Sequence, residues 1–118
     1  PFLSFNHCFK RYTKQKRGSD MSAEVWAVIK FKPKEGCDDE FRECLEGMRQ
    51  IIRKNYPKSL SRIIKIESGE YVHLIQYDTI DSIVDSQIDG LTWLDSVSHL
   101  LDKYENNSRT EAFSGLTI

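Results

Sequence analysis

The stretch that most constrains the fold is EYVHLIQYD, residues 70–78, which has the composition of a strand with two apolar faces. Side chains alternate across a strand, so one face carries Val72 and Leu74 and the other carries Tyr71, His73, Ile75 and Tyr77. A chain of this size covers one face of its sheet with its own helices. The second apolar face therefore has to meet another sheet or another subunit. Alternation leaves open which of the two environments holds His73.

The composition is that of one globular domain. The chain has 118 residues, of which 39% are hydrophobic and 30% are charged. No apolar run approaches the roughly 18 residues of a membrane span. The net charge of -1 is uneven, because residues 1–20 carry five basic side chains and one acidic one, whereas residues 21–118 carry 12 basic and 17 acidic ones. An acidic body predicts binding to neither nucleic acid nor a membrane.

The change in charge divides the chain into a basic N-terminal extension, residues 1–20, and a domain, residues 21–118, that begins at Met21. The extension does not resemble a secretory signal, because its basic residues follow its apolar ones. Whether it belongs to the native product is left open, since it could be upstream sequence or part of a longer product. If it is ordered, we expect its aromatic side chains to pack on the body or on a partner subunit.

The cysteines indicate a reduced, cytoplasmic setting. Cys8, Cys37 and Cys44 are odd in number and contain no C-x-x-C pair, so neither a disulfide framework nor a zinc site is expected. The sequence also lacks a phosphate-binding glycine loop and a nucleophile elbow. We therefore predict no metal and no cofactor.

Apolar periodicity predicts the order strand, helix, strand, strand, helix, strand. The predicted strands cover residues 24–32, 60–67, 70–78 and 109–118, and Ser68-Gly69 is interpreted as a two-residue hairpin turn. The first helix begins at residue 37 or 38 and ends before Pro57, and the second is interrupted at Gly90 and ends near Tyr104. This order predicts an α+β fold of the ferredoxin-like βαββαβ type, with a four-stranded antiparallel sheet and strands one and three in the middle.

From about residue 22 onward the chain resembles the antibiotic-biosynthesis-monooxygenase-like family of the dimeric α/β-barrel proteins. The resemblance rests on VWAVIKFKPKEG before CDDEF, on VHLIQYD before TIDSI, and on LLDKY before the last strand. It implies a homodimer through the sheet face, which closes an α/β barrel, and a small-molecule pocket between each sheet and its helices. Where family members often carry a His, nine or ten residues after the position of Tyr77, this chain has Ser86 and Gln87.

The resemblance implies a small-molecule-binding protein or a cofactor-free monooxygenase that takes a small aromatic ligand. The alternative is a non-catalytic dimeric module with a ligand-sensing or structural role. The sequence leaves open whether the chain is an enzyme.

Histidines and aromatic residues are the candidate site residues. His73 and His99 are the candidate catalytic residues, because histidine is the natural general base near neutral pH. In that role His73 would remove a phenolic proton before oxygen attacks the resulting carbanion; alternatively it is a hydrogen-bonded histidine of the core or the dimer interface. Tyr77, Trp26 and Trp93 are the candidate substrate-binding residues, because aromatic rings stack on planar ligands, although they also serve as core or interface anchors.

Overall fold

The computed structural model describes residues 24–118, so the predictions about the N-terminal extension and Cys8 lie outside the described residues. The elements are β1 (Val25–Phe31), α1 (Asp38–Asn55), β2 (Leu60–Lys65), β3 (Tyr71–Tyr77), α2 (Ile80–Val97) and β4 (Thr110–Leu116). A short 3-10 turn, Ser98–Leu100, follows α2. The predicted α+β, ferredoxin-like βαββαβ layout is confirmed. Within the described range, no helix has both the length and the apolar character needed to cross a membrane.

The sheet has the strand order β2-β3-β1-β4, and every neighbouring pair is antiparallel. The two central strands are therefore β1 and β3, as the sequence predicted. Their register places Ala27 opposite Ile75 and Ile29 opposite His73. Because paired residues point to the same face, this register fixes which side chains meet the helices.

The core lies between this face of the sheet and the two helices, and it consists of two clusters. The first cluster contains Val25, Ala27, Met48, Ile52, Ile75, Tyr77, Ile80 and Ile83. The second contains Phe31, Phe41, Leu45, Tyr71, Leu94, Val97, Leu100 and Leu101. Ile29 and Trp93 pack against both clusters, so they mark the junction between them.

In helix α1, the positions of the charged residues and the spacing of the apolar residues both favour a helix. Acidic residues 38–40 occupy the first turn and Arg53 and Lys54 the last turn, where each sign of charge is favoured by the helix dipole. The buried residues follow a spacing of three or four, which draws one stripe along the helix: Phe41, Leu45, Met48 and Ile52. This stripe supplies α1 residues to both core clusters.

The predicted interruption of the second helix at Gly90 is wrong. Helix α2 is continuous from Ile80 to Val97, and Gly90 lies buried inside it. A glycine inside a helix costs about 1 kcal/mol relative to alanine. Burial of Ile83 and Leu94 on the same helix offsets this cost.

The second helix also ends earlier than predicted. Leu101 is extended and pairs with Pro33 in an isolated antiparallel bridge. The N–H of Lys34 donates to the Leu100 carbonyl at 2.8 Å, and the N–H of Asp102 donates to the Lys32 carbonyl at 2.8 Å. These tertiary hydrogen bonds override the helical spacing that extended the prediction to Tyr104.

The hairpin between β2 and β3 has a three-residue loop instead of the predicted two-residue turn. The N–H of Ile66 donates to the Glu70 carbonyl at 3.0 Å and closes the loop. The N–H of Gly69 donates to the Ile66 carbonyl at 2.9 Å, and Gly69 has a φ of 89°. This is the geometry of a turn followed by a left-handed residue, where glycine carries no steric cost.

The second face of the sheet points away from the helices, and no helix within residues 24–118 packs on it. Alternation from the buried Ala27 and Ile75 assigns an apolar set to this face: Trp26, Val28, Leu60, Ile64, Val72, Leu74 and Phe113. Phe113 is 50% exposed and Ile64 is 46% exposed. At one end, Lys30 pairs with Glu70 at 3.6 Å and Glu111 at 3.7 Å. We call this surface the outer face.

Two glycines test the role of backbone conformation in this fold. We expect Gly69→Ala to destabilise the domain by about 1–2 kcal/mol, because alanine is disfavoured in the left-handed region. Gly47→Ala is the matched variant: Gly47 is exposed on α1, and an added methyl group meets no atom within 4 Å. That variant should gain up to about 1 kcal/mol from helix propensity. Urea denaturation measures both changes, and equal effects at the two sites would contradict the assigned hairpin geometry.

Candidate functional site

A cavity of about 40 Å³ lies between the helix-facing side of the sheet and helix α2, at the junction of the two core clusters. Ile29 and Trp93, the two residues shared by the clusters, both line it. Most of the wall is apolar. The polar side chains in the wall are those of His73, Tyr77, Ser86, Gln87, Trp93 and Thr110.

The structure brings together three of the five candidate residues from the sequence. His73 and Tyr77 lie four residues apart on β3 and so face the same side, while α2 brings Trp93 to the cavity from above the sheet. The other two lie elsewhere. Trp26 points to the outer face, because its neighbours Val25 and Ala27 face the core. His99 is exposed in the 3-10 turn beyond α2.

His73 is buried on the helix-facing side, which answers the question that alternation left open. Its side chain is 1% exposed, and its Nε2 atom lies 2.7 Å from the Ser61 hydroxyl of β2. Desolvation, with a smaller effect of the Arg49 charge, lowers the pKa of His73 to about 4. The imidazole is therefore neutral near pH 7, with one N–H donor and one acceptor nitrogen. A group with this pKa is a weak general base at neutral pH.

Tyr77 stands in a short chain of hydrogen bonds that ends on the α2 backbone. Its hydroxyl donates to Ser86 Oγ at 3.1 Å, and the Ser86 hydroxyl donates to the Ile83 carbonyl at 2.8 Å. Burial raises the pKa of Tyr77 to about 12, so the phenol keeps its proton at neutral pH. The oxygen of Tyr77 thus retains acceptor capacity toward the cavity while its proton is engaged.

Trp93 contributes its ring to the cavity wall, while its N–H group is used in a hydrogen bond elsewhere. Its Nε1 donates to the Cys44 carbonyl of α1 at 3.0 Å. The ring packs edge-on against Phe31, with centroids 5.6 Å apart, and lies 6.0 Å from the Phe41 ring. The indole is held by one hydrogen bond and two ring contacts, which makes it a fixed aromatic wall.

Gln87 is a site residue that the sequence did not identify as one. It is 9% exposed, it lines the cavity, and its Nε2 atom is buried without a hydrogen-bond partner among the described residues. Its position in the sequence could have identified it. The sequence departs from the family pattern at Ser86 and Gln87. Gln87 also shares an α2 face with Ile83, Gly90 and Leu94. A glutamine on an apolar stripe indicates either a buried hydrogen bond or a ligand contact.

The size of the cavity limits what it holds in this conformation. A water needs roughly 10–15 Å³ of such space, so about 40 Å³ admits a few waters. A benzene ring has been accommodated by a cavity of about 150 Å³ in another protein. An aromatic ligand therefore has to displace part of the wall. Met48 of α1 is the wall residue best suited to move, because its unbranched side chain has three rotatable bonds.

The described part of the chain contains no candidate metal site. Within residues 24–118, no three side chains of His, Cys, Asp or Glu come together in a way that could hold a metal ion. Cys37 and Cys44 are both free thiols that are partly buried. The groups that the described residues present to the cavity are neutral hydrogen-bonding groups and aromatic rings.

Comparison with known proteins supports the fold. A protein of Nitrosomonas europaea has a TM-score of 0.66 at 16% identity, covering 80% of this chain and 90% of its own. A protein of Caulobacter crescentus has a TM-score of 0.64 at 14% identity, covering 81% and 91%. Both carry the name "putative antibiotic biosynthesis monooxygenase". A nipsnap family protein of unknown function from Agrobacterium tumefaciens has a TM-score of 0.53 at 14% identity, covering 80% and 86%.

No family model matches the sequence, and no curated protein does. The resemblance that the sequence suggested is therefore confirmed at the level of the fold, which this chain shares with the antibiotic-biosynthesis-monooxygenase-like structures. Identities of 16% and below establish common architecture only. The activity has to be argued from the side chains of this chain.

The buried His73 predicts a specific dependence of stability on pH. Its pKa is about 4 in the folded protein, against 6.5 for a histidine in water, so the unfolded chain binds the extra proton between these values. The neutral His73 contributes to the free energy of unfolding above pH 6.5. This contribution is lost as the pH falls toward 4, by about 3 kcal/mol in all. Urea denaturation at pH 7 and pH 4 should show a smaller loss for His73→Gln than for the wild type.

The matched control is His99→Gln, which changes an exposed histidine outside the cavity. We expect this variant to keep the wild-type difference between the two pH values. If His73→Gln loses as much stability on acidification as the wild type does, then burial of a neutral imidazole is not the source of the pH dependence.

Proposed function

We propose that this chain is a homodimeric small-molecule-binding protein of the antibiotic-biosynthesis-monooxygenase-like type, and that its ligand is a small aromatic molecule held in the cavity. The observation that carries the proposal is the presence of His73, Tyr77 and Gln87 on one mainly apolar cavity. Ligand pockets combine mainly apolar walls with a few placed polar groups. We place this function in a domain of residues 21–118 and, from the cysteine pattern, in the cytoplasm.

The aromatic wall and the hydrogen-bonding groups suit the two parts of such a ligand. The fixed ring of Trp93 offers a surface against which a planar molecule stacks. His73 and Tyr77 supply neutral polar groups on the sheet side of the same space. A ligand that carries one or two polar atoms on a flat ring therefore fits this chemistry better than an ion does.

Cofactor-free monooxygenation is the second candidate, favoured by the two structural neighbours named as monooxygenases. In this chemistry His73 accepts the phenolic proton and the ligand becomes a phenolate. A pKa of about 4 makes the empty site a weak base, but an anion formed beside the imidazole would favour the imidazolium. The low pKa in the empty site is the reason to rank binding before catalysis. The non-catalytic dimeric module is the remaining alternative.

The outer face supports the homodimer. It is an apolar surface on two central strands, with Val28 on β1 and Leu74 on β3, and no described helix covers it. Two sheets that pack face to face bury such surfaces together. Lys30 is already paired with Glu70 and Glu111, so it does not present an isolated cation to a second copy. Arg62, which lies opposite Leu74 on the same face, donates to the Ser61 carbonyl at 2.9 Å.

An outer-face substitution tests the dimer. We expect the full chain to have the mass of two chains by light scattering, and Val28→Asp to have the mass of one, because a carboxylate in the middle of a sheet-on-sheet interface is not solvated. Ile88→Asp is the matched control, since Ile88 is 76% exposed on α2 and away from the sheet. A monomeric wild type, or dissociation of both variants, would contradict the proposed interface.

Tryptophan fluorescence tests ligand binding. In Trp26→Phe the remaining tryptophan is Trp93, whereas in Trp93→Phe it is Trp26 on the outer face. We expect phenolic and other small aromatic compounds to change the fluorescence of Trp26→Phe saturably, because they enter next to Trp93. The fluorescence of the Trp93→Phe variant should change only because the compounds absorb light. Equal responses in the two variants would show that binding occurs away from the cavity.

Oxygen consumption in the same samples separates the enzyme from the binding module. If the protein is a monooxygenase, His73→Ala should lose turnover of phenolic substrates while His99→Ala retains it, since His73 lies at the cavity and His99 does not. Unchanged turnover in His73→Ala would remove the base role. Saturable binding without oxygen consumption would favour the binding function over the monooxygenase.

A further inference from the structure

The amide of Gln87 is the feature of the cavity that the proposed function does not yet use. Its Nε2 atom is buried and has no hydrogen-bond partner among the described residues. The side chain is 9% exposed and lines the cavity. An unpaired buried donor is destabilising, so native proteins satisfy such groups with protein, water or a ligand.

Three other donors of the cavity wall, those of Tyr77, Ser86 and Trp93, are already engaged. The Tyr77 hydroxyl donates to Ser86 and the Ser86 hydroxyl donates to the Ile83 carbonyl. The Trp93 N–H donates to the Cys44 carbonyl. The Gln87 amide therefore differs from these three groups in having a free N–H to offer to a ligand.

The lack of charged side chains in the described cavity wall limits the class of ligand further. No Asp, Glu, Lys or Arg side chain lines it in the part of the chain that is described, and His73 is neutral near pH 7. A carboxylate or an ammonium group would be buried there without a counter-ion in the wall, because Arg49, whose charge acts on His73, does not line the cavity. Such burial costs far more than burying a neutral polar atom. The group that meets Gln87 is therefore an uncharged acceptor.

We propose that Gln87 is a specificity-determining residue that selects a carbonyl oxygen on an uncharged aromatic ligand. The Nε2 amide donates its hydrogen bond to the ligand carbonyl, and the ring of the ligand lies against Trp93. This inference rests on the proposed ligand-binding function and adds the class of ligand, namely small aromatic ketones, aldehydes and quinone-like molecules. A site built to donate to an oxygen discriminates against an analogue that lacks that oxygen.

The test uses three probes that share a ring and differ in one group: acetophenone, ethylbenzene and benzoate. In the full chain we expect acetophenone to bind about five- to tenfold more tightly than ethylbenzene, the size of one net hydrogen bond. Benzoate should bind more weakly than acetophenone. Titration calorimetry gives the affinities, and the side-chain amide signal of Gln87 in an NMR spectrum should shift with acetophenone and not with ethylbenzene.

Gln87→Leu should abolish the preference for acetophenone while leaving ethylbenzene binding equal or stronger, because it replaces the amide by an apolar group. Gln50→Leu is the matched control, since Gln50 is exposed on α1, and it should keep the preference. If Gln87→Leu does not fold, Gln87→Met, which retains the unbranched chain, replaces it. A preference that persists without the amide would overturn the proposal.

The outcomes also separate this inference from the proposed function. Binding of acetophenone and ethylbenzene with equal affinity to the wild type, or tighter binding of benzoate, overturns the carbonyl preference but keeps the binding function. A Gln87 signal that no bound probe shifts shows that water alone satisfies the amide, which also overturns it. If none of the three probes, and no phenolic compound, perturbs Trp93, the binding function itself fails.

Discussion

The antiparallel pairing of β1 with β3 is the constraint on which the other features depend. The pair places Ala27 opposite Ile75 and Ile29 opposite His73, and this register assigns every side chain of both strands to a face. A slip of one residue would exchange the helix-facing set with the outer set. The core, the cavity and the outer face are therefore three consequences of one register.

Much of this architecture could be predicted because it is encoded in local periodicity. The alternation in β1 and β3 and the stripe from Phe41 to Ile52 give the elements and their order, and the order gives the central strands. Where the prediction failed, distant contacts decide the local structure. Gly90 stays helical because the helix face that it shares with Ile83 and Leu94 is buried, and the chain leaves the helix before Leu101 because that residue pairs with Pro33.

The candidate site could be predicted only in part, because period and composition do not give absolute orientation. His73, Tyr77 and Trp93 were candidates for their chemistry, and the fold brings them to one cavity. Trp26 had the same chemistry and faces the other way, which becomes visible only once Ala27 is known to be buried. Gln87 was missed as a site residue because a single glutamine carries no chemical signal until its burial and its unpaired nitrogen are known.

The cavity lies between the two core clusters, and the polar residues in its wall separate them. Between the cluster around Ile75 and the cluster around Phe31, the wall contains His73, Gln87 and Gly90, which has no side chain. Apolar residues of similar volume at the first two positions would avoid the burial of an imidazole and an unpaired amide. A core selected for stability alone gains nothing from this arrangement, whereas a pocket that has to orient a ligand needs it. The burial of these polar groups is thus the physical argument for the ligand-binding function proposed above.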